Sequence, residues 1–412
     1  MLNRRRAAQL IASASAVAAI GAARTAIAAD KIVKIGADLS LTGADAQGAA
    51  RVKNAITMAI TAANDGHAVP GYTFELMVLD DGTATAGQYD PAQAATNARK
   101  MVSDPLVVAA VGPQMSGAGK AMTPILSQGG LATITPSSTN PDITNPKFAA
   151  QYRPAGKPIY FRTVTTDAFQ GPNMANFFAE VLKVKKVYVL DDSGAFGVGV
   201  ADSFEAQAKK KGIEVLGRDK LDPKAADYTA ILTKIKSLNA DAFYYGGVSQ
   251  AGVKLAKQAY DIVPNMIKGG PDGMTSADLL SGAGFPAVEG WYTTIAAPHL
   301  VDDTKAAEFV KTFKGMFGTA PDDYSITAYD AALVVIDAVK RVAATGKPVT
   351  RELVTDALLT AKVPTIQGVV SFDANGDLAD RTVSVFHIQK DPSKPLDDVS
   401  AQYKYLQVAP QS

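Results

Sequence analysis

Segments rich in β-branched residues alternate with segments of helical spacing along this chain, and the alternation runs through twice. "KIVKIGADL" (31–39), "YTFELMVLD" (72–80), "LVVAAVG" (106–112) and "LATIT" (131–135) read as strands, separated by helical patterns at 49–64, 91–103 and 119–127. The rhythm restarts with "KVYVLDD" (186–192), "GIEVLGRD" (212–219), "ADAFYYGG" (240–247) and "NMIKGG" (265–270), alternating with helical patterns near 170–183, 199–211, 227–238 and 250–262. Such alternation implies βαβ units, hence a parallel sheet covered by helices on both faces. Its repetition implies an α/β protein of two lobes.

The first residues stand apart from this pattern. Arg4, Arg5 and Arg6 precede an uncharged, alanine-rich run from Ala7 to Ala23, and Ala26, Ile27, Ala28 give the small-x-small pattern of a signal-peptidase site. An export signal over residues 1–28 is therefore expected. Removing it leaves 384 of the 412 residues, more than one ordinary core accommodates. It also removes four arginines and no acid, so the remaining charge is 37 − 40 = −3, with no bulk attraction for nucleic acid. Cysteine is absent, which excludes disulfides, thiol catalysis, cysteine-bound metals and a lipid-modified cysteine. A freely diffusing periplasmic protein is the expectation.

The proline-bearing stretch from 140 to 158 reads as a surface excursion before the chain crosses between lobes, and "GWYTTIA" (290–296) as a second crossing that carries Trp291. Helical patterns follow at 303–317, 325–344 and 350–361. The tail "GVVSFDANGDLADRTVSVFHI" reads as a hairpin turning at Asn375 and Gly376, an addition to the first lobe with a third crossing near Ser384.

In parallel α/β sheets, ligands sit beyond the carboxyl ends of strands, where helix N-termini direct free N–H groups at them. Three loops here hold that position: "GPQMSGAG" (112–119), "TPSST" (135–139) and "GGPDG" (269–273). Ser116, Ser137, Ser138 and Thr139 would supply neutral donors for a carboxylate, which needs several such bonds once buried. Asp272 would suit an ammonium, so the set fits a zwitterion. Taken singly, each residue also fits a plain role: Ser116 and Asp272 as helix caps, the three hydroxyls as a turn.

Enzyme motifs fit poorly. The phosphate-loop pattern fails because Gln114 stands where its first glycine belongs and Ala121 follows Lys120; the GxSxG elbow fails at Gln114 as well. "GAFGVG" (194–199) lacks dinucleotide spacing. His67, His299 and His387 lie far apart without metal-ligand spacing, so no metal and no cofactor is expected. Carboxylates are plentiful, which leaves a secreted two-acid hydrolase as a distant alternative.

The succession "KIVKIGADLSLTG", "VLDDG", "VGPQMSGA", "ATITPSSTNPDIT", "YFRTVTTDAFQGP", "VYVLDDSGAFGVGVADSF", "DAFYYGGV", "GGPDG" and "SFDANGDL" resembles the periplasmic leucine/isoleucine/valine-binding proteins, substrate-binding subunits of branched-chain amino-acid ABC transporters. The resemblance implies the type I periplasmic binding fold: two Rossmann-like lobes with parallel central sheets and a multi-strand hinge, one made of 29–165 plus 296–383, the other of 166–295 plus 384–412. It implies a monomer that closes on an amino acid and delivers it to a membrane permease. The family's carboxylate-binding serine falls on Ser116, and its clamp falls on Ser137, Ser138 and Thr139, the threonine reaching both ends of the zwitterion. Its ammonium acid falls on Asp272, shorter than the usual glutamate, and its ring after the "VLDD" strand on Phe196 in place of tyrosine. Where leucine-binding members carry wall aromatics, this chain has Gln47 in the first loop and Val248 after "YYGG". Those changes leave a second reading open, the same fold binding a small non-amino-acid carboxylate or amide. A sensor that reports to a receptor instead of a transporter is a further alternative.

Overall fold

The computed structural model describes residues 30–411; the expected export signal lies outside them. The first unit runs β1 (Lys31–Leu39), α1 (Ala46–Asp65), β2 (Tyr72–Asp80), α2 (Pro91–Ser103), β3 (Val107–Val111), α3 (Ser116–Gln128), β4 (Thr133–Thr135) and β5 (Tyr160–Arg162). Its strands are all parallel, in the order β2-β1-β3-β4-β5. β3, "VVAAV", is buried at every position, as a strand covered on both faces must be.

The second unit runs α4 (Asp167–Glu180), β6 (Lys186–Asp191), α5 (Ala195–Lys210), β7 (Glu214–Lys220), α6 (Thr229–Ser237), β8 (Ala242–Gly246), α7 (Ser249–Ile262), β9 (Ile267–Gly269), α8 (Ala277–Ala283) and β10 (Trp291–Ile295). The parallel part of its sheet is ordered β7-β6-β8-β9-β10, the same winding as the first. In this winding the strand order reverses between β1 and β3 in one lobe and between β6 and β8 in the other. Helices leave opposite faces of the sheet there, and a crevice opens at the strand ends. The loops that follow these four strands are thereby set against each other across the gap.

The chain then returns through α9 (Ala307–Phe317), α10 (Asp323–Ala344) and α11 (Arg351–Leu359). α10 puts Ile326, Val335 and Val339 into the core that α1 also lines with Val52, Ile56 and Ile60. Each such burial contributes about 1.5–3 kcal/mol relative to exposure. A capping box starts α10: Asp322 Oδ1 accepts from Ser325 N at 2.8 Å and Ser325 Oγ accepts from Asp322 N at 3.1 Å, which fixes Tyr324 at the cleft edge.

The arms of the hairpin expected over 368–388 part company. Gly368–Val370 pairs with Val363–Thr365, and the turn at Asn375 and Gly376 closes with a single Phe372–Leu378 bridge. β11 (Ser384–Ile388) instead pairs antiparallel with β10 in the second sheet, and β12 (Tyr403–Val408) adds beyond it. The tail thus finds an open edge on a sheet that already exists, which supplies backbone partners a free hairpin lacks. Where the chain passes between the units, the segments are bonded side by side: Thr165 N donates to Ala296 O at 2.8 Å and Ser384 Oγ to Ala297 O at 2.8 Å.

Candidate ligand-binding cleft

α3 begins at Ser116, three residues ahead of the helix expected from the sequence, because the glycines that suggested a loop serve close packing. A Cβ on Gly117 would stand 2.4 Å from the Tyr89 hydroxyl, and one on Gly119 2.7 Å from that of Tyr160. Ser116 does not cap its helix. Its Oγ accepts instead from Thr139 N at 3.3 Å, Asn140 N at 3.2 Å and Ser138 Oγ at 3.3 Å, folding the loop after β4 onto the start of α3. Thr135 Oγ1 accepts from Ser138 N at 2.9 Å, and Ser137 Oγ donates to Gln114 O at 2.9 Å. The loop is therefore held by its own short polar side chains, the property that makes Ser and Thr turn residues.

Behind it lies a group that sequence reading missed. Arg162, at the end of β5, is 0% exposed. It donates to the Ser138 carbonyl, to Asn140 O at 2.7 Å, to Thr144 Oγ1 at 3.2 Å and to Asp377 Oδ1 at 2.8 Å. Tyr160 OH donates to Ser138 Oγ at 2.8 Å. The available signal was a charged residue inside the β-rich "YFR"; nothing local revealed that the turn at 373–377 would bring its partner.

Across the gap, Asp272 is 5% exposed. Its carboxylate accepts from the Tyr324 hydroxyl and from Gly273 N at 3.0 Å, while its own N–H donates to Gln170 Oε1 at 2.9 Å. Gln170 also accepts from Thr294 Oγ1 and donates to Asp167 Oδ1, both at 2.8 Å. Burial pushes Asp272 up to about 6 despite these bonds, and burial together with the Asp272 charge pushes Asp167 up to about 8. Phe196, in the first turn of α5, packs with Val200 and Val248, and Met115 from the first lobe closes over them.

Between these walls lies a cavity. Of the residues expected from sequence, Ser116, Ser137, Phe196, Val248 and Asp272 line it. Ser138 and Thr139 stand behind them: Ser138 is turned to Tyr160, and Thr139 Oγ1 is buried without a partner where Thr139 O accepts from Asp167 N. Gln47 is not among the lining residues; Asp45 and Gly48, on either side of it at the start of α1, are, and the Gln47 N–H is bonded to Asp278 Oδ1. Asp278 and Asp322 also line the cavity, and among the described residues no lysine, arginine or histidine does.

Hydrogen bonds join the lobes around the cavity. Asp278 accepts from Gln47 N at 3.2 Å and Gly48 N at 3.1 Å, Gln250 Nε2 donates to Ala86 O at 2.8 Å, Asn140 Nδ2 donates to Ala195 O at 2.9 Å, and the Tyr324 hydroxyl donates to Asp272. The lobes are closed.

Two doubly wound lobes clasping a cavity at matching switch points define a hinged solute-binding protein of the type I periplasmic binding fold. The family model described as periplasmic binding protein matches residues 32–393, and the chain belongs to that family, in its branched-chain amino-acid branch. A Leu/Ile/Val-binding protein of Rhizobium johnstonii is 30% identical over 356 residues, 86% of this chain and 91% of that one. A leucine-, isoleucine-, valine-, threonine- and alanine-binding protein of Pseudomonas aeruginosa is 30% identical over 380 residues, 92% and 96% of the two chains. The crystal structure of a leucine-binding protein from Thermotoga maritima superposes with a TM-score of 0.77 at 25% identity, covering 92% of this chain and 98% of its own. These relatives are solute-binding proteins and not enzymes, and the present chain is of the same kind.

Proposed function

We propose that this protein is exported to the periplasm, with residues 1–28 as its signal, and works there as a monomeric substrate-binding component of an ABC importer. It captures an amino acid between its lobes, 29–165 plus 296–383 and 166–295 plus 384–412, and delivers it to a membrane permease. The observation that carries this reading is a single cavity with neutral donors on one wall and the buried carboxylate of Asp272 on the other.

In this reading the α-carboxylate lies at the start of α3, where the Ser116 hydroxyl and the first N–H groups of the helix donate to it beside Ser137, while Ser138 and Thr139 hold that wall from behind, each charge-assisted bond contributing about 1.5–3 kcal/mol. The α-ammonium pairs with Asp272, and Phe196 and Val248 cover the ligand from the second lobe. Because the ligand touches both walls, it binds the closed form better than the open one and shifts the population toward closure. The permease then reads the closed outline.

Calorimetric titration of the full chain with the common amino acids and with benzoate tests the proposal, alongside native mass spectrometry of freshly purified protein. Saturable binding of one amino-acid class at 1:1 stoichiometry is expected. Binding of benzoate with no response to any amino acid overturns it, as does turnover of a bound compound.

A further inference from the structure

The cavity has an acid that the zwitterion does not use. Asp45 lines it at 5% exposure, and its Oδ2 has no hydrogen-bond partner. Asp45 occupies the N-cap position of α1, where an aspartate ordinarily accepts from the first free N–H groups of its own helix. Here it makes no such bond, because Asp278 from the opposite lobe accepts from Gln47 N and Gly48 N. A structural duty for the Asp45 carboxylate is thus already discharged by another residue.

The surroundings point the same way. Gly48 leaves the floor beside Asp45 open: a Cβ there would lie 3.6 Å from Gln114 Nε2 and 3.8 Å from Asp278 Oδ2. Gln114 also lines the cavity, and its Oε1 is a second buried acceptor without a donor. The cation nearest this end, Arg51, is tied back to Gln47 O, Ala320 O and Asp397 and does not line the cavity. Asp45 is neighboured by Asp278, Asp192 and Asp81, whereas Asp272 sits beside Tyr324 and Asp167, so the two acids serve different ends of one cavity. An aliphatic side chain placed against Asp45 and Gln114 would leave both acceptors buried and unpaired, at about 1–3 kcal/mol apiece.

We infer that the ligand carries a second cationic group at the end of its side chain, received by Asp45 with Gln114, so that the cleft selects basic amino acids over branched aliphatic ones. This rests on the amino-acid reading above and narrows it. Burial and the neighbouring carboxylates push Asp45 up to about 8, and an arriving ammonium or guanidinium would restore its charge.

The test is calorimetry of the full chain, wild type and Asp45→Asn, with ornithine, lysine, arginine, glutamine, leucine and benzoate. Wild type is expected to bind at least one basic amino acid at least tenfold tighter than leucine or glutamine. Asp45→Asn should lose about tenfold or more on that ligand and under threefold on leucine. Leucine or glutamine as tight as the best basic ligand overturns the inference, and so does equal loss on leucine and the basic ligand in Asp45→Asn; either leaves the amino-acid reading standing. Benzoate binding with every amino acid silent overturns that reading itself. Should Asp45→Asn fail to fold, the wild-type ranking decides alone.

Discussion

The wall formed by Ser116 and the 137–140 loop is tied into a hydrogen-bond chain running through Ser138 and Tyr160 to Arg162 and Asp377, whereas the facing side concentrates carboxylates that burial keeps from ionising freely. The first wall is braced without a ligand by bonds among its own loops. Its donors are held in place, so little ordering entropy opposes the docking of an anion. The second wall is incomplete: its Asp272 and Asp278 reach the same cavity as Asp45 and Asp322 of the first lobe, with no lysine, arginine or histidine lining it among the described residues, and closing it empty concentrates like charges in a poorly solvated space. A ligand that brings positive charge relieves that cost. On the proposed function, the difference implies an order of events, capture by the donor side first and closure favoured on the acid side by a ligand that brings a cation.

The contrast can be broken at several points. The largest effect is expected from Asp272→Ala, which should weaken zwitterion binding at least a hundredfold, about 3 kcal/mol, by leaving the ammonium buried and unpaired. A simple carboxylate should be affected less than threefold; calorimetry showing equal losses for both would remove Asp272 from its role. Ser116→Ala comes next, with about ten- to thirtyfold weaker binding of every carboxylate ligand and a lower melting temperature. Thr139 N and Asn140 N lose their shared acceptor in that variant.

Acidity should separate the walls more gently. An exposed aspartate releases its proton near 3.8, but the folded protein holds that of Asp272 until about 6. Ammonium binding needs the ionised form, so affinity should fall about tenfold between pH 7 and pH 5, while a donor-only wall predicts a flat profile. The sign for folding is opposite. Between about 4 and 6 the native state binds more protons than the unfolded chain, so the ligand-free protein should lose stability as pH rises through this window, visible in melting curves. Asp45 and Asp167, both held protonated to about 8, carry the decline further. The smallest effects belong to the struts: Asn140→Ala or Gln250→Ala should cost about two- to fivefold in affinity with a more open ligand-free form by small-angle scattering, since each removes one hydrogen bond between lobes.

The two-lobed α/β fold was legible because each buried parallel strand must be a short β-branched run and each covering helix must repeat its apolar face. Both periods survive in a single sequence. The placement of Ser116, Ser137 and Asp272 around one cavity was legible because strand ends and helix starts gather at the switch point of each sheet. Arg162 was not, since its burial depends on a turn more than two hundred residues later. Asp45 was not singled out, because only the approach of Asp278 from the other lobe to the start of α1 leaves its carboxylate without a partner there. In the tail, the hairpin reading failed for the same reason, since the partner of β11 is β10 and not Gly368–Val370, while the crossing expected near Ser384 falls where β11 begins. Trp291, on the second crossing, is a fully buried core side chain set edge-on to Phe243 at 5.4 Å.

The bond from Asp278 to the start of α1 has one more consequence. Two backbone protons, those of Gln47 and Gly48, are shielded only while the halves of the molecule are shut. Their exchange with deuterium should therefore tick at the frequency with which the clasp springs apart, turning the first turn of a helix into a clock for gating.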